Sequence, residues 1–104
     1  MDTTEQNILI AEFMNYPKDE FGKWLYFQEG KARLTNEELK FHTSFGHLIP
    51  VVAMVKAELT AVGIDIFESY IASAHELEDA IWANDITKAH EVVVSLIIIL
   101  NQGK

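Results

Sequence analysis

The segment EVVVSLIIIL at residues 91–100 sets the terms for the rest of the chain, because eight of its ten side chains are aliphatic. Three structures keep such a run from water: a membrane span, a strand covered on both faces, or a helix buried over much of its girth. The nine residues Val92 to Leu100 make a helix about 13 Å long, against a bilayer core of about 30 Å. Lys88 and Glu91 place charge at one end. A membrane span is therefore excluded. The β-branched residues Val92, Val93, Val94, Ile97, Ile98 and Ile99 favour a strand locally. The upstream sequence favours a helix. Asn84 or Asp85 supplies an N-cap, and Ile86, Ala89, Val93, Ile97 and Leu100 follow at helical spacing. Thr87, Lys88, Glu91, Ser95 and Gln102 fall on one polar line, interrupted only by Ile98, and Gly103 stands where a helix ends.

A β-branched residue costs about 0.3–0.7 kcal/mol relative to Ala in a helix. Burying it gains about 1.5–3 kcal/mol. Burial wins, which predicts a helix over residues 85–102. Its apolar arc spans about 220° at 100° per residue, wider than the stripe of a helix packed on one side. Its flank must meet a second layer or a partner subunit, and a homodimer through Val94, Ile98 and Ile99 is the expectation.

The remainder of the chain is more ordinary. Thr3 and Gln6 fit a capping box for a helix over residues 3–15, with Leu9, Ile10, Phe13 and Met14 inward and Pro17 beyond its end. Residues 23–35, KWLYFQEGKARLT, read as a hairpin turning at Glu29-Gly30. Trp24 and Tyr26 share one face of its first strand and Leu25 and Phe27 the other; an aromatic face left uncovered would be a contact surface. Asn36-Glu37-Glu38 continues as a loop. Residues 44–59 repeat apolar residues at Phe45, Leu48, Ile49, Val52, Val55 and Leu59, with Thr43 or Ser44 as cap. Pro50 should kink this helix or move its start to Ile49. Residues 62–74 alternate with period two around Ile64, Asp65 and Ile66 and read as a second hairpin, and residues 75–85 are ambiguous between loop and short helix. The order helix, hairpin, helix, hairpin, helix predicts a single α+β domain over residues 1–104, an antiparallel sheet packed with three helices as a layered sandwich.

Composition narrows function. Sixteen acidic against eight basic residues give a net charge of −8, with one Arg and no basic run. Direct binding to nucleic acid is not expected, since that needs clustered positive charge. There is no cysteine, so disulfides and thiolate metal sites are excluded. The first residues show no secretory signal pattern, and a cytoplasmic setting is the expectation.

The segments LIAEFM at 9–14, LKFHTSFGHLIPVV at 39–52 and NDITKAHEVVVSLIIILN at 84–101 resemble a family of small uncharacterised proteins. These occur in phages, prophages and mobile elements of Bacteroidetes-like bacteria and are related to the phage α/β/α-sandwich domain. The shared step is Phe41, His42, Thr43, Ser44, Phe45 before LIPVV; in the last helix Ile86, Val93, Val94, Leu96, Ile97 and Asn101 match. Ile98, Ile99 and Leu100 depart from it, standing where charged and aromatic residues are usual. The resemblance implies a three-layer α+β fold and a phage or mobile-element setting, and it implies no reaction.

Candidate polar residues are few. His42 and His47 are five apart, not the spacing of two zinc ligands on one helix face, and His75 and His90 lie far off in sequence. With carboxylates from Asp65, Glu68, Glu76 or Glu78 they would form a metal site only by convergence in the fold. His42 with Ser44 has the composition of a base and a nucleophile, but the simpler reading is a bracing histidine beside a capping hydroxyl. The other histidines are expected on the surface. The scattered glycines form no phosphate loop, and no cofactor is expected. Glu37-Glu38 and Glu76, Glu78, Asp79 read as solvated charge. The sequence thus points to a non-enzymatic accessory protein acting through protein contact, with Trp24, Tyr26, Val94, Ile98 and Ile99 as candidate surface and His42, Ser44 and His75 as a possible polar site. The alternatives are a small metal-binding protein or enzyme centred on His42 and His75, and an acidic inhibitor that mimics nucleic acid.

Overall fold

A computed structural model describes residues 2–28, 30–62 and 71–102. Four α-helices carry the fold: α1 (Thr3–Phe13), α2 (Phe45–Val62), α3 (Ile71–Trp82) and α4 (Ile86–Gln102). α4 is the axis on which the others pack, in contact with α1, α2 and α3. The polar line read from its sequence is the exposed one: Thr87, Lys88, Glu91, Ser95 and Gln102 face water. Ala89, His90, Val92, Val93, Val94, Leu96, Ile97 and Leu100 are buried. Helices of the same chain thus cover most of the wide apolar arc, leaving Ile98 and Ile99 half-buried. α1 adds Ile10 and Ala11 to this core, α2 adds Leu48, Val51, Val52, Val55 and Leu59, and α3 adds Leu77 and Ala80.

The helix ends follow from local chemistry. Asp2, rather than Thr3, caps α1, its Oδ1 accepting from Glu5 N at 2.8 Å. Asp85 caps α4 by accepting from Lys88 N at 3.1 Å. α1 and α3 stop in the same way: Asn15 and Asn84 take left-handed φ of 58° and 57°. In each case the Asn amide and the one after it reach back, Asn15 N to Glu12 O and Tyr16 N to Ala11 O, then Asn84 N to Ile81 O and Asp85 N to Ala80 O. These are Schellman closures with Asn in place of Gly. Asp85 therefore ends one helix and caps the next, giving a three-residue corner between α3 and α4.

The expected α+β sandwich is not present: no strand forms among the described residues. Two corrections account for this. In the first hairpin, Trp24 pairs with Leu34 and Gln28 with Lys31, but as isolated bridges. Gln28 lies four positions after Trp24 but Leu34 only three after Lys31, so the two pairs belong to registers one residue apart. A slip of one residue reverses which face each side chain takes, and no continuous ladder can span it. The second expected hairpin lies mostly on residues outside the described ones. Ile71 to Ala74, its end, belong to the first turn of α3, and the ambiguous stretch after it is helical through Trp82. Leu77, Ala80 and the half-buried Ile81 place the inward face of α3 at helical spacing. α2 starts at Phe45, not Ile49, and runs on past Pro50.

Residues 14–44 form a lobe without a ladder, held by side chains instead. The Gln28 amide is buried and takes a strand's place: Lys40 N donates to its Oε1 at 2.9 Å. Trp24 Nε1 donates to Asn36 Oδ1 at 2.9 Å, and the Lys18 ammonium lies 4.4 Å above the Trp24 ring. Tyr16, Tyr26 and Phe41 stack, with centroids 4.3 Å apart for the two tyrosines and 5.6 Å for Tyr26 and Phe41. Thr35 and Glu38 form a capping box on the 3-10 turn Asn36–Glu38, where Lys31 also bonds Glu38. Gly30, with φ of 82°, turns the chain between Gln28 and Lys31.

Candidate functional site

The described polar chemistry converges at Asn7, on the inward face of α1. Asn7 is 2% exposed, so its amide must be paired within the protein. Its Nδ2 donates to Leu39 O at 2.8 Å and contacts His42 Nδ1 at 2.9 Å, while its Oδ1 meets His90 Nε2 at 3.0 Å. A carbonyl only accepts, so Leu39 O fixes the amide's orientation. The tautomers follow. His42 Nδ1 accepts and its proton sits on Nε2; His90 Nε2 carries a proton and its lone pair is on Nδ1. One amide thus ties α1, the approach to α2 and α4 together. The two imidazoles meet edge to face with centroids 5.9 Å apart.

Burial, and then the neighbouring His42, push His90 down to about 4, so it is neutral at physiological pH. His42 and His90 line an open hollow of about 310 Å³, with Thr3, Gln6, Thr87 and Glu91. The nitrogens left over, His42 Nε2 and His90 Nδ1, have no protein partner among the described residues. The only buried side-chain nitrogen or oxygen without a hydrogen-bond partner among those residues is Asp19 Oδ2, so the free nitrogens open to solvent. The hollow can donate one hydrogen bond and accept another. It lacks the third element of nucleophilic catalysis: His42 Nδ1 is committed to Asn7, and no hydrogen bond joins His42 to Ser44. His75 is exposed on α3 and does not line the hollow. Among the described residues, no set of three or more His, Asp or Glu side chains could hold a metal ion.

His90 corrects the expectation that the histidines other than His42 lie on the surface. His47 is half-buried as well, its Nδ1 bonded to the Tyr26 hydroxyl at 3.1 Å. A signal existed: Asn7 shares a face with Ile10 and Ala11, and His90 shares one with Val93, Val94 and Ile97. Two polar residues on two apolar faces need each other or some other buried partner.

The second candidate is the outer surface of the lobe. Trp24 is 2% exposed and Tyr26 half-buried, so these two rings face inward. Their alternates face out: Phe27 is 66% exposed and Leu25 40%, and Phe21, at the tip of the turn after Asp19, is 76% exposed. That turn is fixed by Asp19 Oδ1, which accepts from Phe21 N and Lys23 N, both at 2.9 Å. The Lys23 amide, more than any other partner, holds the Asp19 carboxyl below the usual carboxylate range. On α4, Val94 is buried, and Ile98 and Ile99 are half-buried.

No protein-family profile matches the chain, and neither curated proteins nor solved structures yield a match. No helix among the described residues is long and apolar enough to cross a membrane.

Proposed function

We propose that this chain is a non-enzymatic accessory protein of a phage or mobile element, working in the cytoplasm by contact with another protein chain, and that the lobe carries the contact. The observation behind this reading is the exposure of Phe21, Leu25 and Phe27, with the Phe21 turn tied down by the Asp19 carboxylate and the Leu25 amide bonded to Pro17 O. A flexible loop would fold such residues inward; a pinned one cannot. Exposed aromatic side chains on a preorganised surface bind with little further ordering cost, and aromatic anchors dominate contact energy. The phage setting rests on the sequence resemblance at residues 39–52 and 84–101. The hollow at His42 and His90 supports the reading indirectly, since its imidazoles are already engaged in holding helices together.

The test is cross-linking in producing cells, comparing the wild type with a Phe21→Ser/Phe27→Ser variant whose circular dichroism and thermal melt are unchanged. A saturable cross-linked species, whether a different protein or a second copy, is expected for the wild type and lost in the variant. The same pattern from both proteins would refute the assignment of the contact to the lobe.

A further inference from the structure

Two ring nitrogens in the hollow are left over once Asn7 is served. His90 is 5% exposed, yet its Nδ1 has no protein partner among the described residues. His42 Nε2 is the counterpart and carries a proton. Glu91 lines the same wall, and its carboxylate has no partner among the described residues either. The hollow therefore presents one donor fixed by its tautomer, His42 Nε2, and two acceptors, His90 Nδ1 and the Glu91 carboxylate. Thr3, Gln6 and Thr87 complete the lining with groups that can take either role. The imidazole centroids are 5.9 Å apart, close enough for one small group to bond both rings.

We propose that this hollow binds a primary carboxamide: its carbonyl oxygen accepts from His42 Nε2, one amide hydrogen goes to His90 Nδ1 and the other to the Glu91 carboxylate. The site shares no residue with Phe21, Leu25 and Phe27 and does not depend on the contact made there. The count of donors and acceptors selects the class. A carboxylate brings no hydrogen to His90 Nδ1 and meets Glu91 with like charge. The helix starts beside the hollow do not offset this, because the Asp2 and Asp85 carboxylates already cap α1 and α4. An ammonium or guanidinium suits Glu91 but only donates, so the His42 proton is left without an acceptor. A hydroxyl has one hydrogen for two acceptors. A metal ion would need the lone pair of His42, which faces Asn7. Of these groups only the carboxamide brings one acceptor and two donors, on a rigid plane. Water can meet each of the three atoms singly, and a group that reproduces all three bonds displaces it with little loss. At about 310 Å³ the hollow is at the small end for ligand sites. The carboxamide is thus that of a small molecule or of a single Asn or Gln side chain.

Nitrogen-15 spectra of the histidine side chains, recorded on the full chain at neutral pH, test this, since they report tautomer and hydrogen bonding at each ring nitrogen. Propionamide should shift His90 Nδ1 and His42 Nε2 together and saturably, with a Kd in the millimolar range that suits so small a ligand. Propionate and propylamine, each lacking one side of the pattern, should bind at least about tenfold more weakly. Glu91→Ala, at an exposed position, should weaken propionamide about three- to tenfold and leave both tautomers of the free protein unchanged. N-acetylglutamine N-methylamide, a glutamine blocked as it is within a polypeptide, separates the two sources. Binding at least as tight as propionamide supports a protein side chain, and its exclusion while propionamide still binds supports a free small molecule. The carboxamide site is overturned by the absence of a saturable shift, by a response to propionate equal to that to propionamide, or by wild-type affinity in Glu91→Ala.

Discussion

Lowering the pH from 7.5 to 4.5 should destabilise this protein through His90, and the size of the effect follows from its place in the fold. In the unfolded chain a histidine binds a proton near pH 6.5. In the native protein burial and His42 hold His90 near 4. Between these values the unfolded state binds the proton and the native state does not, so stability rises with pH across this window and falls as pH drops through it. For a shift of this size, one pKa unit being 1.36 kcal/mol, the loss at pH 4.5 is about 2.5 kcal/mol. The free His90 nitrogen opens on the hollow and Glu91 lines the same wall; water and that carboxylate both ease protonation, bringing the expected loss to about 2 kcal/mol. The assay is urea unfolding at both pH values for the wild type and for His90→Gln, whose amide can still donate to Asn7 Oδ1 but does not titrate. Asp19 and Glu38, both held below the usual carboxylate range, the latter at about 2 chiefly by its bond to Lys31, lose their contribution only at lower pH. The difference between the two proteins therefore isolates His90. Parallel loss of stability in wild type and variant would show that His90 is not held neutral by burial.

Two further perturbations test the surrounding packing. Asn7→Ala strips partners from Leu39 O, His42 Nδ1 and His90 Nε2 together; with water from the hollow replacing part of the loss, a destabilisation of about 2–4 kcal/mol is expected by urea titration at neutral pH, and a cost under about 0.5 kcal/mol would mean the amide is not the junction described. Ile97→Ala, at a fully buried position on α4, should cost about 2–5 kcal/mol, whereas Ser95→Ala on the exposed line should leave the melting curve nearly unmoved.

The contrast between α4 and the lobe shows what a sequence can convey about a fold of this kind. In α4 the information is redundant. Five polar residues on one line, a cap at Asp85 and the demand for burial all point to one structure, and they outweigh the strand preference of the valines and isoleucines. In the lobe the same kinds of signal were present and misleading. Trp24, Tyr26, Phe27 and a Gly turn suit a strand, but also a loop that buries alternate side chains. The choice between them turned on a register slip of one residue, which leaves no trace in composition or periodicity. It also turned on Gln28 and Asn36, whose amides close hydrogen bonds to residues 12 apart in the chain. Polar groups announce a need for partners and not their identity, and this is why Asn7 and His90 were not paired from sequence although each stands out on its own helix. The same limit explains the candidate surface. Period-two alternation correctly separated Trp24 and Tyr26 from Leu25 and Phe27, but which pair faced water depended on where Phe41 and Tyr16 came to stack. Distant contacts set the outward face, so the lobe's contact residues could be found only once its inward ones were placed.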